Sequence, residues 1–213
     1  MTLKDLISLL RNSKTFEEID IHKNEIVTII PKVKEMFDFD QKNRAHCYDL
    51  WGHCVHTVLN LPKDIDDDMV YLAALIHDIG KPSCQVEDYK DGKPNYHYYG
   101  HQAMSRDVVV KDILPYFKSH GITLDDDKQR RLIYYVYYHD DHVNIKIKYV
   151  RKYTEKIGVS ITEFQNLMKL QVADAKAHNM FDKIFTRITT CEALAGETGL
   201  ELYNNIKDKE KRD

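Results

Sequence analysis

The chain is poor in the residues that punctuate a fold. Eight glycines and five prolines in 213 residues are about half the usual share for a soluble protein. Scarce turn-formers argue against a β-sandwich or barrel and for long helices. No CxxC pair links the four cysteines Cys47, Cys54, Cys84 and Cys191. They read as free thiols of a reducing compartment, not as a zinc knuckle or a disulfide framework. The longest apolar run, Met69 to Ile76, has eight residues, far short of the roughly 20 that span a bilayer. Positive charge is not in excess either, with 31 Lys and Arg against 34 Asp and Glu, so the overall charge does not point to duplex nucleic acid. The N-terminus carries acids early and has no apolar h-region, so no signal peptide is expected and the expected location is the cytoplasm. A 43% hydrophobic and 31% charged composition supplies a core and a solvated surface, which excludes a disordered chain.

Hydrophobic periodicity predicts helices over residues 3–11 and 16–37, the second opened by Thr15 with Glu18 and kinked or broken at Pro31. A helix over 45–60 carries an apolar stripe of Tyr48, Trp51, Val55 and Val58, and a polar stripe of Asp49, His53, His56 and Asn60. The acidic run Asp66–Asp68 suits the start of the next helix, 69–78. That helix is apolar all round, hence buried, and Gly80 and Pro82 end it. Asp91-Gly92 is a turn signal compatible with a small hairpin within 83–99. Further helices are expected over 100–118, 125–139, 146–157, 161–178 and 181–206, before a charged tail, 207–213, that frays. Ser160 with Glu163 caps the helix at 161. No repeat or linker divides the chain, so the expectation is one all-α domain.

What the chain has in plenty is histidine, 11 in all, seven of them between His46 and His120. His77-Asp78 closes the buried helix, where a charged Asp is costly unless a cation or hydrogen bonds satisfy it. A neutral His nitrogen and a carboxylate that can bridge two metals form a ligand pair. The plainer reading is a hydrogen-bonded pair holding two helices together. Asp174 lies on the stripe Phe164, Leu167, Gln171, Asp174, His178, where a lone carboxylate needs a partner. Either it meets His77-Asp78 at a metal, or the stripe turns polar where the helix leaves the core.

His53, His77-Asp78 and Asp174, spread over three predicted helices, follow the order His…His-Asp…Asp. That pattern resembles the HD-domain superfamily of metal-dependent phosphohydrolases. The stretches His46-x-Tyr48-Asp49-x-Trp51-x-His53, Leu72 to Pro82, and Tyr99-Gly100-His101 with Ser105 are similar to the HD domain of bacterial CCA-adding tRNA nucleotidyltransferases. The resemblance covers roughly 45–180; no nucleotidyltransferase head is present, so that activity does not carry over. It implies an HD-type helical bundle with helices 1–44 packed on the core, a metal-binding core over 45–180, and a helix and tail over 181–213. It implies one or two divalent ions (Mn, Fe, Mg, Ni, Co or Zn). The first would be held by His53, His77, Asp78 and Asp174, the second by Asp78, His101 and His139. Asp140, Asp141 and His142 leave the last ligand's register open.

The resemblance also implies roles around the metals. Asp49, four residues before His53, would act near the leaving group or orient His53, unless it is a surface acid. Lys81 and Arg106 would contact phosphate oxygens, unless they are solvated charges. Tyr99, with Tyr98, is placed for a substrate ring. The implied activity is hydrolysis of a nucleotide or related phosphoester by activated water, with Asp78, Lys81 and Asp49 as catalytic residues. A 2′,3′-cyclic phosphate is slightly favoured, and an RNA 3′ end has less support. The alternatives are a di-iron HD oxygenase and a nucleotide-sensing module without turnover. No membrane partner is expected.

Overall fold

The computed structural model of the chain describes residues 1–43, 45–90 and 92–210. It is 67% helical, with twelve α-helices and one two-stranded sheet among the described residues, a single all-α domain. Helix α1 (Leu3–Asn12) opens on a capping box between Thr2 and Asp5. The expected helix 16–37 is three pieces: α2 (Phe16–Asp20), α3 (Lys23–Ile29) and a 3₁₀ segment, Pro31–Met36. Pro31 has no N–H to continue α3, so the chain restarts there. Trp51 Nε1 donates to Asp20 at 2.9 Å and Arg11 pairs with Asp68 at 2.7 Å, tying this N-terminal segment to the rest.

Helix α4 (Leu50–Asn60) starts later than its periodicity suggested, because Asp49 is its N-cap. Helix α5 (Asp68–Ile76) is capped by Asp67, and every residue from Met69 to Ile76 is at most 1% exposed. The apolar-all-round sequence is therefore a central helix, as it must be to escape water on every face. Strands β1 (Val86–Lys90) and β2 (Lys93–His97) pair antiparallel with Val86 opposite His97. Of the expected turn pair, Asp91 lies outside the described residues, as do 211–213 of the charged tail.

Helix α6 (His101–Val108) runs through a π-helical turn (Val109–Ile113) into α7 (Leu114–Ser119). Helix α8 (Asp126–Tyr138) follows, then α9 (Ile147–Arg151), which a second π segment extends to Ile157. Helix α10 (Ile161–Lys176) opens on the Ser160–Glu163 capping box. The last expected helix is two, α11 (Asp182–Ala195) and α12 (Glu197–Glu210), parted at Gly196. Helix α10 packs on α4, α5, α8 and α11, and α5 packs on α8. These five elements share the core, with Leu72, Leu75, Tyr135, Phe164 and Leu167 fully buried in it.

The turn after α5 lies against the start of α6 with no space between. Gly80 N donates to Ser105 Oγ at 3.0 Å, and a Cβ on Gly80 would fall 2.4 Å from Ser105 N. Because the obstacle is backbone, Gly80→Ala forces α6 and its first residue, His101, outward. The expected cost is about 1–3 kcal/mol, the usual penalty for overpacking. Urea denaturation measures it, and an unchanged midpoint would show that the turn has room to yield.

Candidate metal centre

The ends of the core helices converge on one small pocket. His53 comes from the first turn of α4, His77 is the C-cap of α5 with Asp78 next to it, and His139 is the C-cap of α8. Asp174 lies in the last turn of α10, and His101 is the first residue of α6. Three helix C-termini therefore face the pocket, and their partial negative charge favours a cation there.

The geometry divides these side chains into two groups that share Asp78. Asp78 Oδ2 lies 3.4 Å from both His53 Nε2 and His77 Nε2. Asp174 Oδ1 closes this first group, 3.0 Å from His53 Nε2 and 3.6 Å from His77 Nε2. Asp78 Oδ1 faces the second group, 3.3 Å from His101 Nε2 and 3.4 Å from His139 Nε2. His53, His77, Asp78, His139 and Asp174 are all buried.

The imidazoles are oriented by backbone carbonyls. Nδ1 of His77, His101 and His139 lies 2.9, 2.9 and 2.7 Å from the oxygens of Ala74, Tyr98 and Val136, and Nδ1 of His53 lies 3.4 Å from that of Ala177. A carbonyl only accepts, so Nδ1 carries the proton and Nε2 turns its lone pair to the centre, the arrangement typical of metal-binding histidines. Nε2 atoms then oppose each other at 3.3 Å (His53 and His77) and 3.2 Å (His101 and His139). Lone pairs facing carboxylates and one another out of water need a cation or a proton between them. Asp78 Oδ1 is buried without a hydrogen-bond donor, which again calls for a cation. These buried His and Asp groups could hold metal: ligand atoms of His53, His77 and Asp174 lie within 4.8 Å of one another, as do those of His77, Asp78 and His139.

Charge balance follows the same lines. Burial disfavours the charge on Asp78, yet Lys81, His77 and the other histidines beside it hold its carboxyl well below the ordinary range. Asp174 is likewise penalised by burial but held low by His178, His53, His77 and Arg187. Burial alone would push His77 down; Asp78 and the other groups around it raise it well above an ordinary histidine. Burial keeps His101 low.

Lys81 is buried, its Nζ 2.6 Å from Asp78 Oδ2 and 2.9 Å from Gln41 Oε1. It lines the pocket, which measures about 70 Å³, with Arg187, Asp140, His178 and four of the candidate ligands, Asp78, His101, His139 and Asp174.

Three expected site residues lie elsewhere. Asp49 does not share a helical face with His53: as the N-cap it has extended backbone, and its oxygens accept from Gly52 N at 2.7 Å and Asp38 N at 3.2 Å. Arg106 pairs with its neighbour Asp107 at 2.6 Å and stacks over Tyr137. Five residues beyond His101, it is turned about 140° round the helix from that ligand. Tyr99 is 72% exposed and stacks on His97. Tyr98 is the tyrosine at the site, its ring under Lys81 Nζ at 5.4 Å and its hydroxyl donating to Gln41 O at 2.5 Å.

Other residues reach the site beside the expected ligands: His46, which the sequence offered with His56, His97 and His142 as a group behind the ligands, His178 from the Asp174 stripe, and Arg187, which it did not single out. His46 and His178 pair in an isolated β-bridge, their rings tilted against each other with centroids 4.5 Å apart, and both rings pack edge-on against His53. His46 is held neutral, pushed down to about 2 by burial and by Lys81. Arg187 binds Asp140 at 2.6 Å and the His139 carbonyl at 2.8 Å. Its sequence signal was an arginine among Ile184, Ile188 and Cys191, at helical spacing on α11. His142, a neighbour of His139, is exposed.

No protein-family model matches the chain, and no curated protein matches it either. No helix among the described residues is long and apolar enough to cross a membrane.

Proposed function

We propose that this chain is an HD-type metal-dependent phosphohydrolase acting on a nucleotide or related phosphoester. The observation that carries the reading is Asp78. It gives one oxygen to His53 and His77 and the other to His101 and His139, in the residue order that the HD resemblance implies. A divalent ion held by these residues supplies Lewis acidity and makes water a nucleophile near neutral pH. The histidines keep their Nδ1 protons on carbonyls and leave Nε2 free to ligate. Lys81 and Arg187 bring two non-ligand cations to the same small pocket. A small pocket with cations on its wall suits a single phosphoryl group, whose growing negative charge such groups stabilise. Asp49 takes no part, since both its oxygens serve the backbone.

The test is a phosphoester panel of monoesters, diesters, 2′,3′-cyclic phosphates and nucleotides, run on chelator-stripped protein reloaded with Mn²⁺, Fe²⁺, Mg²⁺, Ni²⁺, Co²⁺ or Zn²⁺. Metal-dependent hydrolysis of at least one class is expected. Oxygen uptake without ester cleavage would replace the reading by an oxygenase, and nucleotide binding without turnover by a sensing module.

Lys81→Ala gives a sharper result on the best substrate. Loss of one charge-assisted hydrogen bond, about 1.5–3 kcal/mol, lowers kcat/KM roughly 10- to 150-fold when both proteins are compared at saturating metal, where their metal content is the same; the comparison is made there because Lys81 also pairs with Asp78 Oδ2. Steady-state kinetics with metal analysis decides, and a change below about twofold would leave Lys81 only its pairing with Asp78.

A further inference from the structure

Arg187 stands on α11, a helix that supplies none of the ligands, yet it touches both ligand groups. Its Nη2 lies 3.5 Å from Asp174 Oδ2 and donates to the backbone oxygen of His139 at 2.8 Å. Its Nη1 pairs with Asp140 Oδ1 at 2.6 Å. Asp174 turns its other oxygen to His53 in the first group, and the His139 ring faces Asp78 in the second. One nitrogen, Nη2, thus lies between the outer oxygen of a carboxylate on α10 and the peptide oxygen of a histidine at the end of α8, while Nη1 ties the planar head to Asp140.

We propose that Arg187 is a positioning residue that sets the affinity of both metal positions by fixing Asp174 and His139 relative to one another. This rests on the metal-centre reading and not on the choice of substrate. The guanidinium has two opposed influences. Its charge, close to the centre, repels a cation. Its planar head, aimed by the Nη1 pair with Asp140 so that Nη2 sits between Asp174 and His139, is an arrangement a lysine ammonium cannot reproduce, and it holds the ligands in place. If charge were its whole effect, removing it would tighten metal binding. If geometry dominates, any replacement loosens both positions, whether or not the charge is kept. Geometry dominates here, because Asp174 and His139 come from different helices and Arg187 pairs with the first and hydrogen-bonds the second. Losing a group that orients metal ligands costs about 10- to 100-fold in affinity.

The experiment titrates metal-stripped wild type, Arg187→Lys and Arg187→Gln with Co²⁺, following visible absorption and the affinity of each equivalent against a chelating indicator. Both variants are expected to bind Co²⁺ at least tenfold more weakly, to lose the second equivalent first, and to show shifted cobalt bands. Wild-type affinity and spectrum in Arg187→Lys, or tighter binding in Arg187→Gln, would overturn the proposal. Far-UV circular dichroism before metal addition reports folding. Should neither variant fold, Asp140→Asn carries the test: it leaves Arg187 and its two ligand contacts in place and removes the pair that aims them; because Asp140 Oδ2 also lies 3.9 Å from His101 Nε2, the affinity read is that of the first position, to which His101 does not belong. An intermediate loss of affinity supports the proposal, and unchanged affinity overturns it. Wild type that takes up no Co²⁺ would instead overturn the metal-centre reading itself, a failure visible before any variant is made.

Discussion

Asp78→Ala is expected to leave the protein unable to hold metal at either position and without activity. Asp78 is the carboxylate common to both ligand groups, with Oδ2 among the first and Oδ1 between His101 and His139. His77 also lies near both groups, but with Nδ1 on the Ala74 carbonyl it has a single nitrogen to offer, so only Asp78 can give one atom to each. Replacing Asp78 removes one from each, together with the negative charge that draws two cations into a buried space. Affinity should fall by more than about 100-fold, the upper end of what losing a group behind a ligand costs. The variant should also be less stable without metal, because Lys81 would remain buried with its 2.6 Å partner gone. Breaking a buried ion pair from one side costs about 3–5 kcal/mol. The double variant Asp78→Ala with Lys81→Met removes that penalty and isolates the metal effect. Metal analysis of both proteins, with urea denaturation, provides the measurement. Two retained equivalents in Asp78→Ala would end the shared-carboxylate account.

The second large effect is a stability maximum in pH that exists only in the metal-free protein. Asp78 and Asp174 titrate well below their ordinary value when folded, whereas the unfolded chain takes up those protons near pH 3.9. Their contribution is complete above that value and is lost as pH falls through the folded pKa values. His77 has the opposite sign. Its folded pKa lies well above the ordinary histidine value, so its contribution is complete below about pH 6.5 and is lost as pH rises through the folded value. His46, His101 and His178, held low mainly by burial, act the other way: the unfolded chain takes up their protons near pH 6.5 and the folded chain does not, so stability falls as pH drops below that value. Metal-free protein should therefore be most stable near pH 6.5, a tenfold difference in proton affinity between folded and unfolded chain being worth about 1.4 kcal/mol. Metal replaces the proton on His77 Nε2, so binding should release protons and tighten as pH rises. Melting curves from pH 3 to 9 on stripped and Mn²⁺-loaded protein test both statements. A stripped protein whose Tm climbs steadily from pH 6 to 9 would show that His77 is neutral in the empty centre.

Much of this centre was legible in the chain because each of its parts is a local pattern. An apolar run with no polar face must be buried, and α5 is buried at every position from Met69 to Ile76; His77 and Asp78 at its end inherit that setting. Asp174 stands in register with Phe164, Leu167 and Gln171, and all four are buried together on α10. Scarce glycine and proline made the chain helical, and Pro31 divided α3 from the turn that follows. Helical period reports one face of one helix and nothing about its neighbours.

Where a face begins, and what it meets, was settled in three dimensions. Asp49 and His53 are four residues apart, which suggested one face, but the helix starts at Leu50 and the carboxylate closes its N-terminus instead. Arg106 and Tyr99 lie close in sequence to His101 and point away from it, while Tyr98, one residue over, lies under Lys81. His46 and His178 meet in a β-bridge across 132 residues of chain. Arg187 gains its partners only because α11 packs on α10 beside the end of α8. A helical chain with a buried histidine–aspartate pair and a carboxylate on an inward face could be read from the residues, since period and burial are properties of single segments. Which oxygen of Asp78 faces which histidines, and which arginine braces them, was decided by the tertiary structure alone, because those contacts join segments that no local pattern relates.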